Sequence, residues 1–378
     1  MKIGILTQPL NRNYGGILQN WALQQVLKGF GHQPEMIFRD WTSTPRRPKL
    51  IMMRCGSFVK KFGARFIKGD KTAYLSNPFG RVYDALGPLH ADKSFLRKIN
   101  RTMPIYDNKK LRNVIGRGNY DAFIVGSDQV WRQAYTPDIE TFFLGFMDAF
   151  DSRKRIAFSA SFGTETCDIP EENLNKCREL ISRFDAISVR ELSGLNILKK
   201  DFDIDNAVQT IDPTLLLNPQ DYFDIINPKD RLSGKYIASY ILDDTPDKET
   251  ILDDVCNRLK SPAEKLSCKY TGKPMPTVSQ WLATIADSEF VVTDSFHGCV
   301  FSIIFHKPFI AIANAYRGLD RFSSLLKPLG LSDRLVTDFD DFHSRIDTLL
   351  KGIDYSKVTP QLEISRKQSL DFLRSVLD

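Results

Sequence analysis

Short apolar runs ending in polar or small residues alternate with stretches of helical spacing from Ile3 to Ala313, and this alternation limits the chain to a mostly parallel α/β architecture. The runs are Ile3–Leu6, Met36–Phe38, Tyr120–Gly126, Arg155–Ser159, Ala186–Val189 and Val208–Ile211. The theme restarts with Tyr236–Leu242, Phe290–Thr293 and Phe309–Ala313. Between the first two runs, Ile17, Leu18, Trp21, Ala22, Leu23, Val26 and Leu27 recur at the spacing of one helix face. Turn formers cluster between Asp212 and Lys235 (Asp212-Pro213, Asn218-Pro219, Asn227-Pro228, Ser233-Gly234) and mark the break. The pattern therefore predicts two open α/β domains, residues 1–218 and 235–357, with the site in the cleft beyond the strands' C-terminal ends. The amphipathic stretch Leu362–Leu377 falls in a third segment, 358–378, expected to form a helix that crosses back onto the first domain.

Charge and cysteine usage narrow the class. Of 378 residues, 42% are hydrophobic and 26% charged, which excludes wholesale disorder, and no run reaches the roughly 18 to 20 apolar residues of a membrane span. The six cysteines (Cys55, Cys167, Cys177, Cys256, Cys268, Cys299) contain no Cys-x-x-Cys pair, which argues against a zinc site or a disulfide framework and suits a reducing cytoplasm. No metal is expected. The net charge of +6 is concentrated between Arg46 and Lys71, where nine basic residues face Asp70 alone and alternate with Leu50, Ile51, Phe58, Phe62 and Phe66. Such a segment fits either a solvated helix with a core face or peripheral docking on the inner face of the cell membrane. Nucleic acid is not an expected partner, because no reader motif accompanies the charge.

Several strand ends carry chemistry. In Thr293-Asp294-Ser295-Phe296-His297-Gly298, His297 sits at a strand-to-helix turn near free backbone N–H groups that favour an anion, where an imidazole can serve as acid or base. Arg190 follows the strand Ala186–Val189 and can grip a carboxylate or phosphate in two-pronged fashion; the alternative is a surface pair with Glu191. Arg317 and Arg321 follow another strand and bring two guanidiniums to the same cleft edge. Gly126-Ser127-Asp128-Gln129-Val130-Trp131 offers a base, Asp128, and a ring, Trp131, for stacking on a sugar. Asn13-Tyr14-Gly15-Gly16 precedes a helix and lets a ligand approach the backbone, without Gly-x-Gly-x-x-Gly spacing. No Gly-x-x-x-x-Gly-Lys-[Ser/Thr] is present, so a P-loop enzyme is excluded.

Taken in order, Asn13-Tyr14-Gly15-Gly16-x-Leu18-Gln19, Val125-Gly126-Ser127-Asp128-Gln129-Val130-Trp131, Ser159-Ala160-Ser161-Phe162-Gly163, Ser188-Val189-Arg190-Glu191, Asp212-Pro213-Thr214 and Thr293-Asp294-Ser295-Phe296-His297-Gly298 resemble the polysaccharide pyruvyl transferase family. The resemblance runs from residue 1 to about 325. It implies two Rossmann-like domains facing across a cleft, as in GT-B glycosyltransferases. It also implies transfer of the enolpyruvyl group of phosphoenolpyruvate onto two hydroxyls of a polysaccharide-precursor sugar, giving a cyclic ketal and phosphate. Phosphoenolpyruvate is then a co-substrate, with no separate cofactor. His297 matches the family's histidine and, with Asp128, is the expected catalytic pair. Arg190, Arg317, Arg321, Ser295 and Gly298 are expected at the donor, and Asn13, Tyr14, Gly15 and Trp131 at the acceptor sugar. Ser295 departs from the family pattern, since many members carry arginine there. A lipid-linked oligosaccharide acceptor would give Arg46–Lys71 a purpose at the inner membrane face of a cytoplasmic enzyme. Two other readings remain open: a nucleotide-sugar glycosyltransferase of similar architecture, and a non-catalytic sugar- or anion-binding scaffold of a polysaccharide-assembly complex.

Overall fold

The computed structural model describes residues 1–10, 13–40, 93–136, 138–267, 275–314 and 318–378, with a few isolated positions between 56 and 63. The basic segment Arg46–Lys71 therefore falls almost entirely outside the described residues, and Arg317 lies outside them.

The first sheet contains β1 (Lys2–Leu6), β2 (Gln33–Met36), β3 (Ala122–Val125), β4 (Lys154–Ala160), β5 (Ala186–Val189) and β6 (Val208–Gln209), in the order β2-β1-β3-β4-β5-β6. The second contains β7 (Ile237–Tyr240), β8 (Ala263–Leu266), β9 (Phe290–Thr293), β10 (Phe309–Ile312) and β11 (Leu335–Val336), in the order β11-β10-β9-β7-β8. Every pairing is parallel. Numbered within its own sheet, the second order is 2-1-3-4-5, and the first sheet shares it before adding β6. Each sheet thus reverses direction between its first and third strands, which opens a crevice at the C-terminal ends of β1 and β3 in one and of β7 and β9 in the other.

The central strands are buried on both faces, as the continuous apolar runs of β3, β9 and β10 require. The expected strand over Met36–Phe38 begins earlier, at Gln33, because β2 pairs with β1 from Lys2 onward. Beyond Met36 the extended chain changes partner, and Ile105 N donates to Phe38 O. Edge strand β8, Ala263-Glu264-Lys265-Leu266, shows no apolar run because its middle residues face solvent.

The helices flanking the sheets are α1 (Tyr14–Gly29), α2 (Lys93–Leu96), α3 (Asn108–Arg117), α4 (Glu171–Ile181), α5 (Leu192–Phe202), α6 (Pro219–Phe223), α7 (Pro246–Leu259), α8 (Val278–Asp287), α9 (Phe296–Ile304), α10 (Asp320–Leu326), α11 (Phe339–Leu349) and α12 (Tyr355–Leu377). Among the described residues, no helix is long and apolar enough to cross a membrane. Tyr14 of α1 stacks on Trp281 of α8 at 5.4 Å, and Tyr222 of α6 meets Phe301 of α9 edge-on at 5.0 Å. These rings join the two sheets' helices in one apolar core. Polar contacts add to it. Ser193 N, in the first turn of α5, donates to Asp320 Oδ2 at 2.8 Å, and Leu192 N donates to Ser324 Oγ at 3.0 Å, so α10 caps α5 from across the interface. Helix α12 returns to the first sheet, where Leu373 and Leu377 share a core with Ile3, Ile5, Leu23 and Ile124.

Candidate active site

Residues beyond the C-terminal ends of β1, β3, β5, β6 and β9 meet in one polar cluster. Each approach is permitted by a small residue. Between β3 and Asp128, Gly126 adopts φ +115°, and a Cβ there would stand 2.2 Å from Phe158 O. The turn is held from α1 and from the end of β1: Ser127 N donates to Gln19 Oε1 at 3.2 Å, and Thr7 Oγ1 donates to Ser127 O at 2.9 Å. Asp128, itself at φ +71°, accepts from Asn13 Nδ2 at 3.2 Å. Asn13 thus bridges to Asp128 and makes no side-chain cap of α1.

Arg190 extends from the end of β5 and is 4% exposed. Its Nη1 donates to Asp212 Oδ2 at 2.8 Å, while Nη2 lies 3.6 Å from Asp128 Oδ1 and Nε 3.6 Å from Glu191 Oε2. Those last two nitrogens make no hydrogen bond among the described residues. The guanidinium carbon sits 4.4 Å from the centroid of the Phe296 ring, a cation–π contact. The surface pair with Glu191 is not what forms. Glu191 is buried, and its Oε1 accepts from Ser161 Oγ and Gly163 N.

Arg321, from α10, lies with its guanidinium carbon 6.0 Å from the same Phe296 ring. Burial, followed by the like charge of Arg190, lowers its pKa to about 10. Two guanidiniums held this close in a buried site favour an anion between or beside them.

Asp212 follows β6 and is 1% exposed. Its Oδ1 accepts from Thr214 N at 3.0 Å and Thr214 Oγ1 at 2.7 Å, which fixes the carboxylate plane and leaves Oδ2 aimed at Arg190 and His297. Burial opposes its charge, but His297 and Arg190 beside it outweigh burial and hold the carboxyl well below the usual carboxylate range.

His297 stands in the first turn of α9 and is 7% exposed. Its Nε2 lies 3.5 Å from Asp212 Oδ2 and makes no directed hydrogen bond among the described residues. The other side of the ring packs on Gly15, where a Cβ would stand 2.0 Å from Nδ1. Gly15 therefore serves to seat the imidazole between the two helix N-termini. Among the described residues, no group of His, Cys, Asp and Glu is arranged to hold a metal ion.

The structure brings His297, Asp128, Arg190, Arg321, Asn13 and Gly15 together. It corrects three other expectations, at Trp131, Tyr14 and Gly298. Trp131 is 0% exposed, stacked on Phe143 at 5.2 Å with Nε1 donating to Phe142 O, so it presents no face to a sugar. Trp131→Ala is expected to cost about 3–5 kcal/mol by leaving a core cavity. An unchanged urea midpoint would contradict that placement. Tyr14 is likewise buried, its ring on Trp281 and its hydroxyl donating to Pro276 O at 2.5 Å, and it packs the interface. Ser295 Oγ caps α9 by accepting from Gly298 N at 3.3 Å, so the Gly298 N–H is taken by its own helix cap, while the Ser295 hydroxyl keeps its proton to donate. Gly298 is required for its own reason: a Cβ would meet Thr293 Oγ1 at 2.1 Å. Asp212 and Phe296 also belong to the site, although the motifs Asp212-Pro213-Thr214 and Thr293–Gly298 do not single out either residue. Nothing local to either residue indicates its partners.

The model of the family described as polysaccharide pyruvyl transferase matches residues 13–316. No curated protein matches the chain significantly in sequence. Among solved structures, the UDP-GlcNAc 2-epimerase of Methanocaldococcus jannaschii superposes with a TM-score of 0.50 at 11% identity, covering 93% of this chain and 94% of that one. The UDP-GlcNAc 2-epimerase of Neisseria meningitidis gives 0.50 at 9% identity, covering 100% and 99%. At such identities the likeness establishes the fold, a two-domain Rossmann-like arrangement of the GT-B kind.

Proposed function

We propose, from the premise that the chain belongs to the polysaccharide pyruvyl transferase family, that it moves the enolpyruvyl group of phosphoenolpyruvate onto two hydroxyls of a polysaccharide-precursor sugar. The observation that carries this reading is Arg190. A buried guanidinium with two nitrogens lacking acceptors is costly, and a donor bearing both a carboxylate and a phosphate supplies acceptors of the right charge. Arg321, near the same Phe296 ring, adds a second positive charge.

The chemistry needs a proton at the enol methylene and two hydroxyl protons removed. His297 is the group we assign to the first step, delivering a proton to C3 so that C2 becomes oxocarbenium-like. One sugar hydroxyl adds to C2 and loses its proton to a base, for which Asp128, beside Asn13, is the candidate. The C2–O bond to phosphate then breaks with its electron pair leaving on phosphate, and the second hydroxyl closes the ketal as its proton departs. Of the two hydroxyl protons, one balances that spent on C3 and the other leaves with phosphate or solvent.

Calorimetric titration of phosphoenolpyruvate into the wild type and Arg190→Ala tests the assignment, with UDP-sugars as controls. Loss of two charge-assisted hydrogen bonds, each roughly 1.5–3 kcal/mol, implies at least about a hundredfold weaker binding in the variant. Arg190→Lys, which keeps a charge among the three carboxylates but loses the planar fork, is the folded comparison. Equal binding by all three proteins would remove Arg190 from the donor site. Binding of a UDP-sugar in place of phosphoenolpyruvate would overturn the pyruvyl-transfer reading in favour of a nucleotide-sugar glycosyltransferase.

A further inference from the structure

We infer that Asp212 is a positioning residue which holds His297 across the interface between the two sheets, and that it does so in competition with the donor for Arg190. This rests on the proposed pyruvyl transfer for its kinetic consequences, though its geometry stands by itself. Asp212 belongs to the first sheet's side of the molecule and His297 to the second. One oxygen, Oδ2, lies 2.8 Å from Arg190 Nη1 and 3.5 Å from His297 Nε2, with Ser127 Oγ donating to it at 3.4 Å. The other oxygen is fixed by Thr214, so the carboxylate is not free to rotate away. On the far side of the imidazole, Gly15 leaves room for the ring and supplies no polar side chain. Asp212 is thus the anionic group that orients His297 and balances its charge when it is protonated.

The same oxygen also engages Arg190. Asp212, Asp128 and Glu191 surround this guanidinium on three sides, and each favours the arginine in its present place over an incoming anion. Neutralising Asp212 therefore acts in opposite directions at the two ends. Arg190 meets less competition from the protein's own carboxylates. His297 loses the anion that holds it.

Asp212→Asn preserves the side-chain shape and removes the charge. Turnover measured by phosphate release should fall at least about tenfold, the factor that accompanies about 1.4 kcal/mol of lost stabilisation. Phosphoenolpyruvate affinity measured by calorimetry should be unchanged or tighter. General damage would worsen both, and a variant with both worsened, or with turnover unchanged, overturns the inference. In a His297→Ala background the same substitution should cost no further turnover; an additive loss also counts against it. Ring nitrogen NMR signals of His297, assigned by their disappearance in His297→Ala, give a readout that needs no donor. They should shift in Asp212→Asn while those of the other four histidines stay in place. If wild type fails to bind phosphoenolpyruvate, the functional reading falls while the NMR comparison still decides Asp212. Thr214→Val, which deletes the 2.7 Å bond to Oδ1, should move every readout the same way by less, and serves if Asp212→Asn does not fold.

Discussion

Replacing His297 with alanine is expected to lower turnover by about 10²- to 10⁴-fold, the range that a positioned general acid–base contributes. The reason to expect a chemical defect, with the fold kept, lies in how the residue is seated. The turn that carries His297 is held by other groups: Ser295 caps α9, Thr293 Oγ1 donates to Tyr240 O, and Asp294 accepts from Leu242 N and Lys248 Nζ. None of these depends on the imidazole. Removing the ring should therefore leave α9 in place and phosphoenolpyruvate binding largely intact, with single-turnover phosphate release as the step that slows. A variant within threefold of wild type in that assay would remove His297 from the chemistry. Retained activity in a reconstituted pathway would point instead to a scaffold role.

Gly15→Ala should be nearly as damaging to activity, although the substitution adds a single methyl group. The new Cβ would lie 2.0 Å from His297 Nδ1 and 2.2 Å from Cγ, distances at which the ring must move. The backbone leading into it is braced: Asn13 is tied to Asp128, and the next residue, Tyr14, is stacked on Trp281. Retreat of α1 is therefore harder than rotation of the imidazole out of its seat. Overpacking of this kind typically costs about 1–3 kcal/mol in stability. The decisive comparison is the double variant. With His297→Ala the ring is gone and the methyl group has space, so the stability cost of Gly15→Ala should largely vanish in that background. Additive stability losses in urea denaturation would show that the two residues do not share the contact.

The parallel strands were legible because a strand buried on both faces must be apolar along its length, and Phe290–Thr293 is read from sequence at its observed limits. Edge strands carry no such obligation, which is why Glu264 and Lys265 concealed β8. His297, Arg190 and Asp128 announce themselves by standing at strand ends. Trp131 stands at a strand end as well, but its surroundings are Phe143, Phe162 and Phe184 from distant parts of the chain, and no local spacing separates a core tryptophan from a stacking platform. Gly298 illustrates the same limit at closer range. A helix N-terminus offers N–H groups to an anion or to its own cap, and here the cap serine takes the Gly298 N–H. Asp212 reads locally as the first residue of an Asp-Pro turn, and it does cap Thr214. Its second oxygen is what matters to the site, and the residues it meets come from β5 and from the other sheet's side of the cleft.

The return of α12 to the first sheet bears on how the protein is made. Phe372 stacks on Phe158 of β4 at 6.2 Å, Lys154 Nζ donates to Val376 O, and Ser369 Oγ accepts from Ile211 N. On a ribosome, β1 through β6 are complete long before residues 369–377 have been synthesised. On one face of that finished sheet α1 supplies Leu23, Val26 and Leu27, but the part that α12 covers, around Phe158, stays open through the synthesis of the entire second sheet. The first half to emerge is consequently among the last to close. During translation it is an exposed apolar surface of the sort that chaperones bind and that promotes aggregation when they are scarce.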